Sequence, residues 1–115
     1  MKNFKNKVAA ITGAGSGIGQ QLAVLLAQQG CHLSLSDVNE QGLAHTVDLV
    51  KDQNIRVTTK KVDVAQLEEV KVWAAETVQN HGSVNMIFNN AGVALGSTVE
   101  GASYEELEWK IKIFG

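Results

Sequence analysis

The chain has 115 residues, 44% of them hydrophobic, and a formal net charge of -2, which suffices for one domain burying roughly 60–68% of its unfolded surface. Its charges are interspersed, which excludes a basic stripe for nucleic acid and an acidic tail and leaves a small molecule as the default partner. One cysteine, Cys31, excludes an internal disulfide; with no zinc-ligand spacing, no leader-like apolar region in "MKNFKNKVAAITG" and no run long enough to span a bilayer, the expectation is a cytoplasmic protein without metal or membrane anchor.

Val8-Ala9-Ala10-Ile11 is an unbroken apolar run before a glycine turn, the pattern of a parallel strand buried on both faces. Ile18, Leu22, Leu25 and Leu26 then recur at helical spacing, and Gly30 follows where a helix stops. Leu33 and Leu35 alternate with His32, Ser34 and Ser36 in a second strand ending at Asp37, and Leu43, Val47 and Val50 mark a second helix. A third strand runs from Ile55 to Val62, polar enough for a sheet edge. Leu67, Val70, Ala74 and Val78 form a third helical stripe, and a fourth strand spans Val84 to Asn89. A glycine-punctuated loop from Gly92 to Gly101 follows, and Ser103 with Glu106 reads as a capping box opening a last helix. Strands alternating with helices predict an α/β fold with a parallel sheet covered on both faces and right-handed crossovers.

The glycine turn "TGAGSGIG", residues 12 to 19, joins the first strand to the first helix. That position suits a phosphate: glycines let the backbone approach it, and the N–H groups and dipole of the helix attract it. The three-glycine form G-x-G-x-x-G is imperfect, with Ile18 where its last glycine would fall. An acid that takes the adenosine ribose hydroxyls is expected about 20 residues on. Asp37 stands 20 after Gly17; its alternative role is helix N-cap, with Glu40 three residues later. A carboxylate there repels a 2′-phosphate, and neither Ser16 nor Val38 offers a basic side chain, so NAD is preferred over NADP.

The letters T-G-x-x-x-G-x-G, Thr12 through Gly19, and "NNAG", Asn89 through Gly92, resemble the two hallmarks of the short-chain dehydrogenase/reductase (SDR) family. The resemblance runs from Lys7 to about Ile113 and covers the family's first half; it implies a three-layer Rossmann-type doubly wound parallel sheet of which only the order 3-2-1-4 can be built, with residues 1–115 a single incomplete NAD-binding domain. It implies that Gly13, Ser16, Gly17, Ile18 and Gly19 cradle the cofactor, with Asp37 on its ribose. It also implies that Asp63 and Val64 meet the adenine, Asn89 braces the central sheet, and Asn90, Ala91 and Gly92 pass close to the ribose and phosphates. Asp63 reads equally as an N-cap, with Gln66 three residues on.

The family's catalytic tyrosine is followed four residues later by lysine, a cation needed because tyrosine near its ordinary pKa of ~10 is a poor base. The only tyrosine here, Tyr104, is followed by Glu108, and Ser83, Ser97 and Ser103 do not match the family's serine. Phe114 stands where the helix "LEWKIKIFG" leads one to expect the family's asparagine. No residue is therefore assigned to catalysis, and none to a metal. His32, His45 and His81 read as structural or solvated, Cys31 as a small buried residue, and Trp73 and Trp109 as packing residues.

Two functional classes follow. The first is an NAD-binding half of an oxidoreductase whose complete form moves hydride between nicotinamide and an alcohol or carbonyl. The second is a non-catalytic nucleotide-binding fragment that acts through a partner, is unstable alone, or self-associates through an exposed fourth strand. A different ligand on the same fold, such as a methyl donor, fits the paired hallmarks poorly.

Overall fold

The computed structural model describes residues 3–91. The elements are β1 (Val8–Thr12), α1 (Gly17–Gln28), β2 (His32–Asp37), α2 (Glu40–Val50), β3 (Val57–Lys61), α3 (Leu67–His81) and β4 (Met86–Asn89). The strands are parallel, as the alternating pattern predicts, and lie in the order β3-β2-β1-β4 that the resemblance implies. In register, Thr12 pairs with Ser36 and Asn89, and Asp37 pairs with Lys61. All four C-terminal strand ends therefore share one edge of the sheet, where open α/β sheets bind ligands.

Every residue of β1 is buried. Ala9 and Ile11 point to one face, with Leu33 and Leu35, beneath Ala23, Leu26 and Ala27 of α1 and Leu43 and Val50 of α2. Ala10 faces the other side, in a cluster with Val62 and with Trp73 and Ala74 of α3. Three layers result, and both faces of the central strand lie out of water.

Two helices present a different face from the one their large residues suggest. In α1, Ile18 is 74% and Leu25 59% exposed, while Gly19, Ala23, Leu26 and Ala27 are buried. Small residues carry this contact because the helix lies too close to the sheet for large ones. In α3, Leu67 and Val78 are exposed, and Trp73, Ala74 and Thr77 face inward. The indole is accommodated because β2 offers it a serine. Trp73 Nε1 donates to Ser34 Oγ at 2.9 Å, and Thr77 Oγ1 donates to Trp73 O at 2.8 Å. With the Thr77 proton so used, Ser34 is the donor in its 2.7 Å contact with Thr77 Oγ1. The buried hydroxyls on β2 are thereby satisfied on an otherwise apolar face.

Cys31 is fully buried at the entry to β2, its Sγ donating to Lys7 O at 3.3 Å. Burial pushes the thiol up to about 11, against a smaller lowering by a backbone hydrogen bond. The folded protein holds this proton where the unfolded chain has lost it, so the stabilisation is complete below the ordinary thiol value of 9.0 and is lost as pH rises towards about 11. Urea midpoints will accordingly fall between pH 9 and 11, and less steeply in Cys31→Ala; equal slopes would contradict this assignment.

Candidate nucleotide-binding site

Beyond Thr12 the chain turns through Gly13 (φ 64°) and enters α1 at Gly17 (φ 55°), both in the left-handed region open to glycine. The loop between them is fastened on two sides. Ala14 N–H donates to Ser36 O at 3.0 Å, and Gly15 N–H donates to Asp37 Oδ2 at 2.8 Å. From α2, Thr46 Oγ1 donates to Ala14 O at 2.7 Å, and Gln20 Nε2 bridges Gly15 O and Thr46 Oγ1.

The glycines at this corner serve different ends. A Cβ on Gly19 would lie 2.2 Å from Gly13 O, so only glycine lets α1 start this close to β1. A Cβ on Gly17 would meet nothing within 4 Å, so that position needs glycine for its backbone angle and faces open space. Gly42 was not singled out from the sequence, yet a Cβ there would lie 2.5 Å from Gly15 O. The available signal was a glycine inside a helical pattern, which costs about 1 kcal/mol relative to alanine and invites a packing reason.

Ser16, Gly17 and Ile18 are exposed at the start of α1. Ser16 is an extended N-cap whose side chain makes no capping hydrogen bond, and the first turn carries no acidic residue. The first N–H groups of a helix have no partner within it, and its dipole places partial positive charge there. This corner is thus a ledge of backbone donors fitted to an anion.

Asp37 stands between the ledge and α2. Its Oδ2 accepts from Gly15 N–H and its Oδ1 from Asn39 N–H at 3.1 Å. The N-cap of α2 is Asn39, whose Oδ1 accepts from Gly42 N–H at 3.0 Å, so the capping role considered for Asp37 belongs to its neighbour. Val62 N–H donates to Asp37 O at 3.1 Å, which brings Asp63 and Val64 to the same edge. Asp63 is not the N-cap of α3, a position held by Gln66. Its Oδ1 accepts from Ala65 N–H at 2.9 Å and its own N–H donates to Glu69 Oε1 at 2.9 Å, shaping the turn before the helix. Val38, next to Asp37, is 56% exposed.

The third wall comes from the end of β4. Thr12 Oγ1 donates to Asn89 Oδ1 at 3.1 Å and accepts from Ala91 N–H at 3.0 Å. Asn90 Nδ2 donates to Gly13 O at 3.3 Å. The side chains of Asn89 and Asn90 therefore both lock the fourth strand to the glycine loop. Gly92 lies outside the described residues, as do the Ser103–Glu106 capping box, Tyr104, Ser97, Trp109 and the Phe114 position. Ser83 precedes β4, at the opposite end of the sheet. His32 begins β2 and His81 ends α3, away from this edge, while His45 on α2 contacts only Gln20 among the described residues. No group of three or more metal-ligating side chains occurs among the described residues, and no helix there is long and apolar enough to cross a membrane.

A parallel sheet of this order, with a glycine corner and an acid at adjacent strand ends, defines a Rossmann-type α/β protein. Residues 7–113 match the short chain dehydrogenase family, and the chain belongs to it. It is 42% identical over 108 residues to a candidate oxidoreductase of Mycobacterium tuberculosis, SadH, covering 94% of this chain and 39% of that protein. To the cyclohexanol dehydrogenase of an Acinetobacter species it is 41% identical over 90 residues, covering 78% of this chain and 36% of the relative. Among solved structures, a short chain dehydrogenase/reductase from Burkholderia phymatum in complex with NAD is 38% identical, with TM-score 0.71, covering 76% of this chain and 31% of that one. The chain spans about two fifths of the length of the curated relatives it matches.

Alanine scanning of the corner separates the two uses of glycine. Gly19→Ala forces backbone apart and should cost about 1–3 kcal/mol or more, whereas Gly17→Ala meets only the left-handed penalty of about 1–2 kcal/mol. Urea unfolding should rank Gly19→Ala as the less stable; the reverse order would mean that α1 does not pack against Gly13 as described.

Proposed function

We propose that this chain binds NAD and is the cofactor-binding part of an oxidoreductase that moves hydride between nicotinamide and an alcohol or carbonyl. The carrying observation is Asp37, a carboxylate at the strand end beside the glycine corner with one oxygen on the Gly15 amide and the other on Asn39. A carboxylate has about four lone-pair positions, so two such bonds leave acceptor capacity for vicinal ribose hydroxyls.

In this reading the pyrophosphate rests on the ledge of Gly13, Ser16, Gly17, Ile18 and Gly19. Asp37 takes the ribose, and Asp63 and Val64 flank the adenine together with the exposed Val38. Asn90, Ala91 and Gly92 border the run towards the nicotinamide. The fit is supported by the close approach at Gly19, by the open space at Gly17 and by the exposed first turn of α1. Bound there, the dinucleotide supplies the hydride donor or acceptor; the chain's own residues bind and orient it. Similar proteins of known structure, a xylitol dehydrogenase and a Mycobacterium avium carveol dehydrogenase, were solved with NAD. No Tyr-x-x-x-Lys occurs in the sequence, so proton transfer is not assigned to any of its residues. The second reading, a non-catalytic fragment that self-associates, rests on β4 being an edge of the sheet among the described residues.

NAD is preferred to NADP because a 2′-phosphate would meet the Asp37 carboxylate. Replacing the carboxylate by an amide removes that repulsion. Calorimetry should therefore show NADH binding at least tenfold tighter than NADPH, a difference of about 1.4 kcal/mol or more. Asp37→Asn should narrow that gap by weakening NADH and strengthening NADPH. Equal changes for both cofactors would show that Asp37 only holds the glycine loop, and failure to bind either would overturn the proposal.

A further inference from the structure

The sheet has a second polar concavity, at the end opposite the glycine corner. A cleft of about 550 Å3 opens where the strands begin, lined among others by Asn6, His32, Asn54, Arg56, His81 and Ser83. Val8, the first residue of β1, also borders it. At about 3.3 Å per residue the length of β1 places the cleft roughly 16 Å from the dinucleotide edge, so the two are separate.

Its hydrogen-bond state can be read from the contacts. His32 Nδ1 accepts from Arg56 N–H at 2.9 Å, so the neutral ring carries its proton on Nε2 and presents a donor there. His81 Nε2 lies 2.8 Å from Thr58 Oγ1, and its Nδ1 is buried with no partner among the described residues. If the threonine hydroxyl donates to Nε2, Nδ1 carries a proton that lacks an acceptor. Arg56 spends one guanidinium nitrogen on Asn80 O at 2.5 Å and keeps further N–H donors. The lining includes no carboxylate.

The charge in the cleft has one sign. Burial first, then Arg56 and His32, push the His81 imidazole below its usual range, as expected where positive charge accumulates without a counter-ion. A cation is disfavoured by the guanidinium. Arg56 and His32 Nε2 supply donors to the cleft, and no carboxylate in its lining opposes an anion.

We propose that this cleft is a binding site for a phosphate group, held by Arg56 and by His32 Nε2 with His81 in its wall, and that it is independent of the dinucleotide. Donors from β2 and from the segment before β3 suit a tetrahedral oxyanion, which accepts from several directions at once. Asn6 and Asn54, both at positive φ (65° and 53°), form part of its lining.

The test is to titrate inorganic phosphate, and separately methyl phosphate, into the 115-residue chain at pH 7.5 while following the histidine ring protons by NMR. Sodium chloride serves as the ionic-strength control. Saturable shifts of His32 and His81, with His45 unmoved, are expected from at least one of the two phosphates; which of them binds distinguishes a free ion from a monoester. Arg56→Ala, an exposed position, should weaken that binding at least tenfold while leaving the circular dichroism spectrum and NADH affinity unchanged. Shifts reproduced by chloride, no saturation with either phosphate, or unchanged affinity in Arg56→Ala would overturn the proposal.

Discussion

The contact on which this structure depends is the approach of α1 to the end of β1, where the Gly19 backbone lies so close to the Gly13 carbonyl that a Cβ would stand 2.2 Å from that oxygen. It sets the phase of the helix: with Gly19 facing the strand, Ala23, Leu26 and Ala27 follow it inward, and Ile18 and Leu25 turn to water. It also sets where the first turn points. Ser16, Gly17 and Ile18 emerge exposed at the sheet's C-terminal edge, where the first N–H groups of the helix have no partner within it.

The neighbouring strand ends hold that corner in place. Asp37 ties it to β2, Thr46 and Gln20 tie it to α2, and Thr12 and Asn90 tie it to β4. Several residues expected to touch a cofactor are therefore also structural partners of one another. A substitution at Asp37 or Asn90 will disturb the loop's shape as well as any ligand contact, so the charge-only change Asp37→Asn is more informative than truncation.

The C-terminal strand ends, to within a residue, and the position of the glycine corner were legible in the sequence, because a buried parallel strand is an apolar run and a left-handed turn requires glycine; strand order came with the family resemblance, and β3 and β4 begin at Val57 and Met86 rather than at Ile55 and Val84. Helix faces were less legible. Hydrophobic periodicity weights large side chains, and here α1 packs through glycine and alanine, while α3 packs through Trp73 and Thr77 against a serine. The capping of α2 was assigned to Asp37 as an alternative because Glu40 lies in register; Asn39 holds it, since the aspartate reaches back to Gly15. Gly42 shows in the sequence only as a glycine inside a helical pattern; its reason, a long-range backbone contact with Gly15 O, does not. The charge arrangement at the two sheet ends was equally hidden: Asp37 and Asp63 gather at one end and His32, Arg56 and His81 at the other only once the strands are in parallel register.

The proposed dinucleotide site is built from the ends of β2, β3 and β4 around the glycine corner of β1. Amide chemical shifts of the 15N-labelled chain during an NADH titration test it most directly. The predicted result is a contiguous set of perturbed amides at Gly13 to Gly19, Asp37 to Asn39, Asp63 to Val64 and Asn89 to Ala91, with His32 and His81 unaffected. Perturbations confined to the opposite end of the sheet, or none at saturating NADH, would contradict it.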